Sequence, residues 1–494
     1  MLFNSYIFIL LFLPLALAGY FGCNAKGRYE WGRIWLTVMS LWFYAWFNVK
    51  YLPIIVGSIL FNYALYRLIL GHRGMEGRRR GDLYLTAAGI AANLAVLFYY
   101  KYFDFFVENI NQACLTDFTL RHVLLPLGIS FFTFQQIGFL ADTYRGGTEN
   151  YPFMDYALFV TFFPQLIAGP IVTHDEMIGQ FGDISRKKWD FASASKGMYV
   201  FVCGLGKKVL LADVFGRAVA WGYGNLQSLS GLTALWLIAS YGVQLYFDFS
   251  GYCDMARGIG LLFRIDLPVN FFSPYKARDL VEFWKRWHIT LNRFFTKYVY
   301  IPLGGNRKGR LRTCLHIFLV YFVSGIWHGA GWTFLFWGTA HGIIYIATKQ
   351  LQPLLAKIPG VLTWFCNLLT VLVLWVFFRA ETMGEAWQVL ARALSGGYGF
   401  SSVPAGFAQQ FRTPEFFYGL KILHLLPGNL VTADYILMSG YMLAAWFIVL
   451  CCKNTTEKLQ TFRPGMINSL FTVCVFLWSL LSFSEVSTFL YFNF

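Results

Sequence analysis

Thirteen apolar stretches, spread along the whole chain, constrain the fold more than any other feature of the sequence. A helix that crosses the hydrocarbon core of a bilayer needs about 20 mostly apolar residues. Only 13% of the residues are charged, against about a quarter in soluble proteins. The stretches cover residues 8–20, 35–47, 51–70, 83–100, 124–140, 156–171, 199–211, 232–247, 316–327, 332–346, 361–378, 435–452 and 467–483. Because several are short, we expect an all-α polytopic membrane protein with about eleven to thirteen hydrophobic helices.

The first apolar stretch resembles a secretory signal peptide in length but lacks its basic leader. The first lysine is Lys26, and no convincing cleavage site follows Ala18. A signal peptide has a positively charged segment before its apolar core. We therefore expect a retained first helix.

The net charge of +15 is concentrated in three basic clusters. They comprise Arg73 with residues 78–80, residues 186–188, and Arg307, Lys308, Arg310 and Arg312. Basic loops favour the cytoplasmic side of a membrane, where anionic head groups attract them. We therefore expect the clusters to set the topology and to meet the lipid bilayer, not nucleic acid.

The chain has no flexible linker, low-complexity tract or clear internal repeat, which predicts one membrane domain over residues 1–494. Many transporters are built from repeated halves, so a transporter is a weaker interpretation. Three segments interrupt the apolar pattern: residues 172–196, 266–313 and 381–432. The third is mixed in character and poor in charge, which predicts an extramembrane loop with short helices.

Residues 279–299 have the periodicity of an amphipathic helix. At about 100° per residue, aromatic residues and leucines fall on one side and basic residues on the other. The apolar side holds Leu280, Phe283, Trp284, Trp287, Leu291, Phe294, Phe295 and Tyr298, and the basic side holds Lys285, Arg286, Arg293 and Lys297. Asp279 is placed to cap this helix, and Pro302 with the following glycines to end it. His288 falls among the aromatic residues, so we expect it to point into the apolar interior.

His328 is the second histidine that the sequence singles out. It ends a nearly uncharged run, and Gly325 and Gly329 flank it, so that backbone or substrate can approach closely. Ionisable groups at membrane depth are costly and usually line a reaction path. In an apolar site a neutral imidazole can accept a proton near pH 7, as attack of an alcohol on a thioester requires. For His341 we expect a packing role.

Other kinds of chemistry leave no signature in this sequence. A Gly-x-Ser-x-Gly elbow, a Walker-type loop and a Rossmann glycine fingerprint are all missing. The nine cysteines include no CxxC pair, and no His-x-His spacing occurs, so we predict neither a metal site nor a disulfide framework. Asp248, Ser250 and Asp254 lie beside an apolar helix, where hydrogen bonds between helices are the expected role.

Several motifs together resemble the membrane-bound O-acyltransferase family, and most closely its bacterial alginate O-acetyltransferase branch. The most specific are Glu-Phe-Trp-Lys-Arg-Trp-His-Ile-Thr-Leu at 282–291 and Tyr-Ile-Pro-Leu-Gly-Gly-Asn-Arg-Lys-Gly at 300–309. Further matches lie at residues 126–135, 163–170, 206–208, 246–256, 327–329, 375–380 and 489–494. The signature region covers about residues 121–380, and C-terminal helices follow at about 435–483.

The resemblance implies a fold and a reaction. The fold is a ring of transmembrane helices with amphipathic interfacial helices around a central tunnel. His328 matches the catalytic histidine of the family, and His288 matches a second signature position, where many eukaryotic members carry asparagine. His328 would act as general base, and His288 would orient a group or stabilise the oxyanion. The donor would be a cytoplasmic thioester, acetyl-CoA, whose phosphates Arg307, Lys308 and Arg310 would bind; no cofactor would be bound permanently.

The resemblance also implies a setting. We expect a multi-pass protein of the inner membrane, acting with a periplasmic or extracellular acetyltransferase partner. The acceptor would be an exported or cell-wall polysaccharide. Within the family, the alternative is D-alanyl transfer to teichoic acids from a carrier-protein thioester. From another class, the alternative is a non-catalytic subunit of an export channel.

Overall fold

A computed structural model describes residues 1–76, 80–424, 429–485 and 489–490 of the chain. Within these residues the regular structure is helical throughout, with no strand. The all-α fold predicted from the sequence is therefore confirmed. Arg78 and Arg79 of the first basic cluster, and residues 491–494 of the last family motif, lie outside the described residues.

Six helices in the described part of the chain are long and apolar enough to cross a membrane. They are Phe8–Ala25, Val49–His72, Arg80–Cys114, Arg310–His328, Gly360–Arg379 and Leu430–Cys451. Most residues of the other apolar stretches also lie in helices, which are shorter, less apolar or more charged than these six, whereas residues 124–128 and 167–171 are not helical. The protein is thus a multi-pass membrane protein, as the sequence predicts.

Contacts within the chain define two compact units, of which the first comprises residues 1–201 and 255–268. Its core includes an aromatic cluster, in which the rings of Phe8 and Phe12 lie 5.5 Å apart. Arg33 Nη1 donates two hydrogen bonds to the Asp155 carboxylate, at 2.7 and 2.9 Å. Its helices are Phe8–Phe12, Leu13–Ala25, Tyr29–Ala45, Val49–Tyr51, Leu52–Glu76, Arg80–Leu97, Phe98–Tyr102, Phe103–Cys114, Ile129–Arg145, Phe153–Thr161, Phe163–Leu166, His174–Gly182 and Ile184–Lys187.

The second unit comprises residues 202–254 and 269–494 and contains His288, His328 and His341. Helices Phe191–Gly206 and Gly231–Leu262 contribute residues to both units. The other helices of the second unit are Lys207–Ala212, Asp213–Gly224, Leu226–Ser228, Pro274–Lys276, Leu280–Arg286, Ile289–Phe295, Thr296–Tyr300, Ile301–Leu303, Arg310–His328, Trp332–Leu355, Gly360–Arg379, Met383–Leu394, Phe400–Ser402, Ala405–Gln409, Pro414–Ile422, Leu430–Cys451, Thr455–Gln460, Met466–Leu481 and Ser482–Glu485. The single domain over residues 1–494 stays a prediction.

The predicted amphipathic helix over residues 279–299 is wrong in one respect, because the chain breaks it at His288. The segment forms two helices, Leu280–Arg286 and Ile289–Phe295. His288 between them has φ 45° and ψ 51°, a left-handed conformation that ends a right-handed helix. The predicted cap is confirmed, since Asp279 Oδ1 accepts a hydrogen bond from Glu282 N at 2.7 Å.

The sidedness of this segment follows the sequence pattern on both sides of the break. The aromatic residues and leucines of the apolar side are buried up to Phe295. On the basic side, Lys285 and Arg293 are exposed. Gly304, with φ 117°, ends the segment where the glycines after Pro302 predict. The third polar segment contains short helices, as expected, and its residues 425–428 lie outside the described part.

Candidate active site

Two glycines bring together the helices that carry His328 and His341. The helices Arg310–His328 and Trp332–Leu355 meet where Gly325 faces Gly338. A Cβ added at Gly338 would lie 2.6 Å from the Tyr321 carbonyl oxygen and 2.9 Å from the Gly325 Cα. Since real Cβ atoms do not approach so closely, only glycine allows this backbone contact.

Gly329, immediately after His328, makes room for a side chain of the protein itself. A Cβ at this position would lie 2.2 Å from the ring of Phe334. The Phe334 ring packs in turn on Phe378, with centroids 5.2 Å apart. The close approach that the sequence predicts at this glycine is therefore made by an aromatic ring of the chain.

His328 is the last residue of its helix and is 3% exposed. Three aromatic rings surround its imidazole. The ring centroids of Trp327, Trp337 and Phe378 lie 4.9, 5.2 and 5.1 Å from that of His328. The three rings thus enclose the His328 imidazole in an aromatic pocket.

His288 lies close to His328, and the centroids of the two rings are 6.4 Å apart. It is 1% exposed, and its ring meets Phe249 edge to face at 4.8 Å. Burial lowers the pKa of His288 from its ordinary 6.5 to about 3. The ring is therefore neutral at physiological pH, as the sequence predicts for an apolar site.

Asn270 holds the turn that presents His288. Its carbonyl oxygen accepts from Ile289 N at 3.0 Å, and its Oδ1 accepts from Thr290 N at 3.2 Å and from Thr290 Oγ1 at 2.9 Å. These bonds satisfy the first amide groups of helix Ile289–Phe295, which have no partner within the helix. Asn270 thus replaces a helix cap that the chain cannot supply at His288.

The same side-chain oxygen fixes the tautomer of His288. Its Nδ1 lies 3.1 Å from Asn270 Oδ1. The Thr290 amide can only donate, so the Asn270 atom that faces it is the oxygen, and the oxygen can only accept. His288 Nδ1 must therefore carry the proton. The lone pair of the neutral ring lies on Nε2, which can accept a hydrogen bond or a proton.

His341 takes part in aromatic packing, as its predicted role requires. It is fully buried, and its Nδ1 accepts a hydrogen bond from Trp284 Nε1 at 3.3 Å. Its ring centroid lies 4.7 Å from that of Trp337, which also contacts His328. His341 therefore packs against Trp337, which forms part of the wall of the His328 pocket.

The acidic residues of the helix Gly231–Leu262 bind lysines. Asp248 Oδ1 accepts from Lys208 Nζ at 2.7 Å, and Lys208 Nζ also donates to Asp213 Oδ1 at 2.6 Å. Asp254 accepts from Lys207 Nζ at 2.5 Å. Among the described residues these contacts tie segments of the second unit together, in line with the expected structural role of the two aspartates.

Comparison with known proteins decides the family. A family model described as membrane-bound O-acyltransferase matches residues 143–383. The chain is 40% identical to a peptidoglycan O-acetyltransferase of Helicobacter pylori, with 100% of this chain and 98% of that protein covered. The chain belongs to the membrane-bound O-acyltransferase family.

Two further relatives are similar to smaller parts of the chain. A probable alginate O-acetylase, AlgI, of Pseudomonas aeruginosa is 36% identical over 80% of this chain and 75% of its own length. A teichoic acid D-alanyltransferase of Streptococcus thermophilus is 29% identical over 44% of this chain and 55% of its own length. The predicted family and the prediction of an acyltransferase are confirmed. The non-catalytic alternative is set aside.

Only part of the third basic cluster lines a cavity. Arg310 lies on the wall of a cavity of about 380 Å³, together with Lys349 and Gln350. Arg307 and Lys308 are exposed on the preceding loop. His316 anchors that loop, because its Nδ1 lies 3.0 Å from the carbonyl oxygen of Gly305. A binding role for the three basic residues stays a prediction.

Sequence reasoning missed Asn270, Thr290 and Trp337 as parts of the site. Asn270 lies in a polar segment where an asparagine attracts no notice, and its contact with His288 depends on the left-handed turn. The signal that was available is its position directly before Phe271 and Phe272. A polar amide at the edge of an aromatic run is costly to bury without partners.

Proposed function

We propose that this member of the membrane-bound O-acyltransferase family transfers acetyl groups from a cytoplasmic thioester, acetyl-CoA, for the O-acetylation of a cell-wall polysaccharide. The observation that carries the proposal is the buried pair His328 and His288, whose ring centroids lie 6.4 Å apart within an aromatic pocket. Full-length similarity to a peptidoglycan O-acetyltransferase supports the choice of acetyl as the transferred group.

In the proposed reaction the acceptor hydroxyl attacks the thioester carbonyl carbon. His328 takes the hydroxyl proton as the new C–O bond forms, the C–S bond breaks, and the proton passes to the thiolate sulfur. A neutral imidazole with a pKa near the working pH is the side chain best suited to both proton transfers. No metal ion or permanently bound cofactor takes part.

The tautomer of His288 favours one of its two predicted roles. With the proton on Nδ1, its Nε2 accepts hydrogen bonds, whereas an oxyanion requires a donor. We infer that His288 orients the acceptor hydroxyl, or the His328 ring, through Nε2. Stabilisation of the oxyanion is therefore the less favoured of the two roles.

The position of Arg310 supports a donor with a long arm. Arg310 and His328 are the two ends of one helix, roughly 27 Å apart at 1.5 Å per residue. A donor whose phosphates bind at Arg310 and Lys349 must place its thioester far from them. Coenzyme A carries its thiol on a long flexible arm, whereas a compact donor such as acetyl phosphate is too short to extend along the helix.

Similarity to the relatives supports the proposed acceptor and cellular setting. Similarity over the whole chain favours peptidoglycan as the polysaccharide, with alginate as the second choice. Both polymers lie outside the cytoplasm, so acetyl groups must cross the inner membrane. We propose that a periplasmic acetyltransferase partner receives them or that the glycan does so directly.

D-alanyl transfer is the weaker candidate. The teichoic acid D-alanyltransferase of Streptococcus thermophilus matches less than half of this chain. The two reactions differ in the donor, since D-alanine would arrive as a thioester on a carrier protein. An assay of transfer from each of the two donors therefore distinguishes the two reactions.

The decisive experiment measures transfer of labelled acetyl by the protein in proteoliposomes. Acetyl-CoA is supplied on one side and a peptidoglycan fragment, alginate or a periplasmic partner on the other. We expect His328→Ala to lower the rate by a factor of 10² to 10⁴, with unchanged insertion and melting temperature. His122→Asn, at an exposed histidine with positive φ, is the matched control.

Three outcomes would contradict the proposal. Turnover that survives in His328→Ala would remove the catalytic assignment of this histidine. Transfer of D-alanine from a carrier protein, without transfer from acetyl-CoA, would favour the other donor. If Arg310→Ala does not affect the binding of acetyl-CoA, the basic cluster does not bind the donor.

A further inference from the structure

A large cavity in the second unit is lined by neither His288 nor His328. It encloses about 730 Å³ between the helices Leu430–Cys451 and Met466–Leu481 and the segment around Leu210. Most of its wall is aliphatic or aromatic: Leu210, Ile436, Ile448, Phe471, Val475 and Trp478. Ile436 is 50% exposed and Phe471 41% exposed, so the cavity opens on the surface of the protein.

Small residues create the room inside this cavity. Gly440 and Ala444 lie on its wall, one turn apart on the helix Leu430–Cys451. A Cβ added at Gly440 would meet no atom within 4 Å. The space is therefore open to a ligand, in contrast to the space at Gly325 and Gly338, which backbone fills.

One end of the cavity is polar and basic. Lys453, Asn454, Thr455 and Lys458 lie there, on the loop that joins the two apolar helices. Lys453 and Lys458 are exposed. Lys458 Nζ lies 5.7 Å from the ring centroid of Phe471, so its ammonium group lies over the aromatic edge of the apolar wall.

The nearby carboxylates do not neutralise all the basic residues at this end, which keeps a net positive charge. Lys207, also on the wall, is paired with Asp254, which accepts a second bond from Thr455 Oγ1 at 2.6 Å. Glu457 accepts from Asn454 N at 2.8 Å and so caps the short helix Thr455–Gln460. Residues 452–465 contain three basic residues and one acidic residue, so the loop attracts anions.

The loop also lies at the level of the membrane where lipid head groups are expected. It begins where the membrane-spanning helix Leu430–Cys451 ends. Basic residues in short loops face the cytoplasm, where the leaflet is rich in anionic lipids. The apolar part of the cavity then extends from the head-group level toward the hydrocarbon core.

We infer that this cavity binds one anionic phospholipid of the cytoplasmic leaflet, with an acyl chain along Ile436, Ile448 and Val475 and the phosphate at Lys453 and Lys458. A transmembrane helix of a partner is a poorer fit. Its apolar surface would offer no anionic group to Lys453 and Lys458 at the exposed basic end. A glycan is excluded by the apolar wall.

Native mass spectrometry of the purified protein tests this site. Phosphatidylglycerol and phosphatidylcholine with identical acyl chains are each added to the protein in detergent. We expect the double variant Lys453→Gln, Lys458→Gln to bind phosphatidylglycerol roughly thirty-fold more weakly, from about 1 kcal/mol per lysine, with little change for phosphatidylcholine. The double variant Lys196→Gln, Lys357→Gln, at two exposed lysines elsewhere, should bind both lipids like the wild type.

A second variant tests the apolar part. Gly440→Leu fills the cavity and should lower the binding of both lipids at least tenfold, with an unchanged melting temperature. If it does not yield folded protein, Ala444→Met serves the same purpose on the next turn. Equal binding of the two lipids by the wild type, or full binding by the filled variant, would overturn the inference. So would co-purification of a polypeptide that the filled variant releases.

Discussion

At the scale of single residues, one amide oxygen has two roles in the candidate active site. Asn270 Oδ1 accepts hydrogen bonds from Thr290, and it also sets the proton of His288 on Nδ1. The path of the backbone and the basicity of the imidazole therefore depend on the same atom. A ring that orients a reacting group is sensitive to such a partner, because a misplacement of about 1 Å can lower a rate strongly.

Replacement of Asn270 should affect the rate through His288. We expect Asn270→Ala to lower kcat ten- to a hundredfold, because the ring loses its orientation. Asn270→Asp keeps the acceptor and should restore most of the rate. Its carboxylate would raise the pKa of His288, so the acidic limb of the pH–rate profile should move to higher pH. Equal loss in both variants, with no change of profile, would contradict a positioning role.

The neutrality of His288 predicts a loss of stability in acid. Burial lowers its pKa to about 3, whereas the unfolded chain titrates near 6.5. Between these values only the unfolded chain binds the proton. The free energy of unfolding therefore has its full value above about pH 6.5 and decreases below it. From pH 7 to pH 5 we expect a loss of about 2 kcal/mol. Melting temperatures of wild type and His288→Asn across this range test it; parallel curves would refute it.

At the scale of helices, the contact between Gly325 and Gly338 positions the end of the helix Arg310–His328 that carries His328. Backbone meets backbone there, without an intervening side chain. Such contacts between small residues are a common means of helix association in membranes. Because the two backbones are in direct contact, the helices cannot approach more closely. His328 therefore has a defined position relative to Trp337 on the next helix.

A single methyl group at Gly338 should separate these helices. We expect Gly338→Ala to cost about 1–3 kcal/mol, as overpacking does, and to lower kcat with it, since the pocket of His328 widens. Gly57→Ala is the matched control, because a Cβ there meets no atom within 4 Å. The measurements are melting temperature and transfer rate in the same detergent. An unchanged melting temperature for Gly338→Ala would show that the helices can move apart freely.

The helices of the site could be predicted from the sequence, but the break at His288 could not. Periodicity places the aromatic and basic residues on opposite sides, and Asp279 marks the start of the helix. The break depends on Asn270, eighteen residues earlier, whose contacts replace those of a continuous helix. Local patterns do not contain such a distant partner. The proximity of His288 and His328 was likewise implied only by family resemblance, since their contact requires the tertiary fold.

At the scale of the molecule, a buried charge network joins distant parts of the second unit. Lys208 is 1% exposed and binds both Asp213 and Asp248. Asp248 Oδ2 also accepts from the backbone of Leu490 at 2.9 Å. The network thus connects segments near positions 210, 248 and 490. A buried charge that loses its partner is far more costly than an exposed one.

Removal of the Lys208 charge should therefore destabilise the protein strongly. We expect Lys208→Met to cost about 3–5 kcal/mol, because two carboxylates stay buried without their cation. The amide of Leu490 should also exchange faster with solvent. Lys196→Met, at an exposed lysine on the adjoining helix, is the control and should change stability by less than about 0.5 kcal/mol. A loss of similar size in both variants would contradict the importance of the network.

The left-handed turn at position 288 also limits which side chains this position can carry. Asparagine, aspartate and histidine adopt positive φ more readily than other side chains except glycine. A backbone with φ 45° at this point therefore accepts histidine or asparagine without rebuilding. The asparagine that the family resemblance implies for other members would fit the same turn. A single residue change at this position could then replace the side chain while the path of the backbone stays the same.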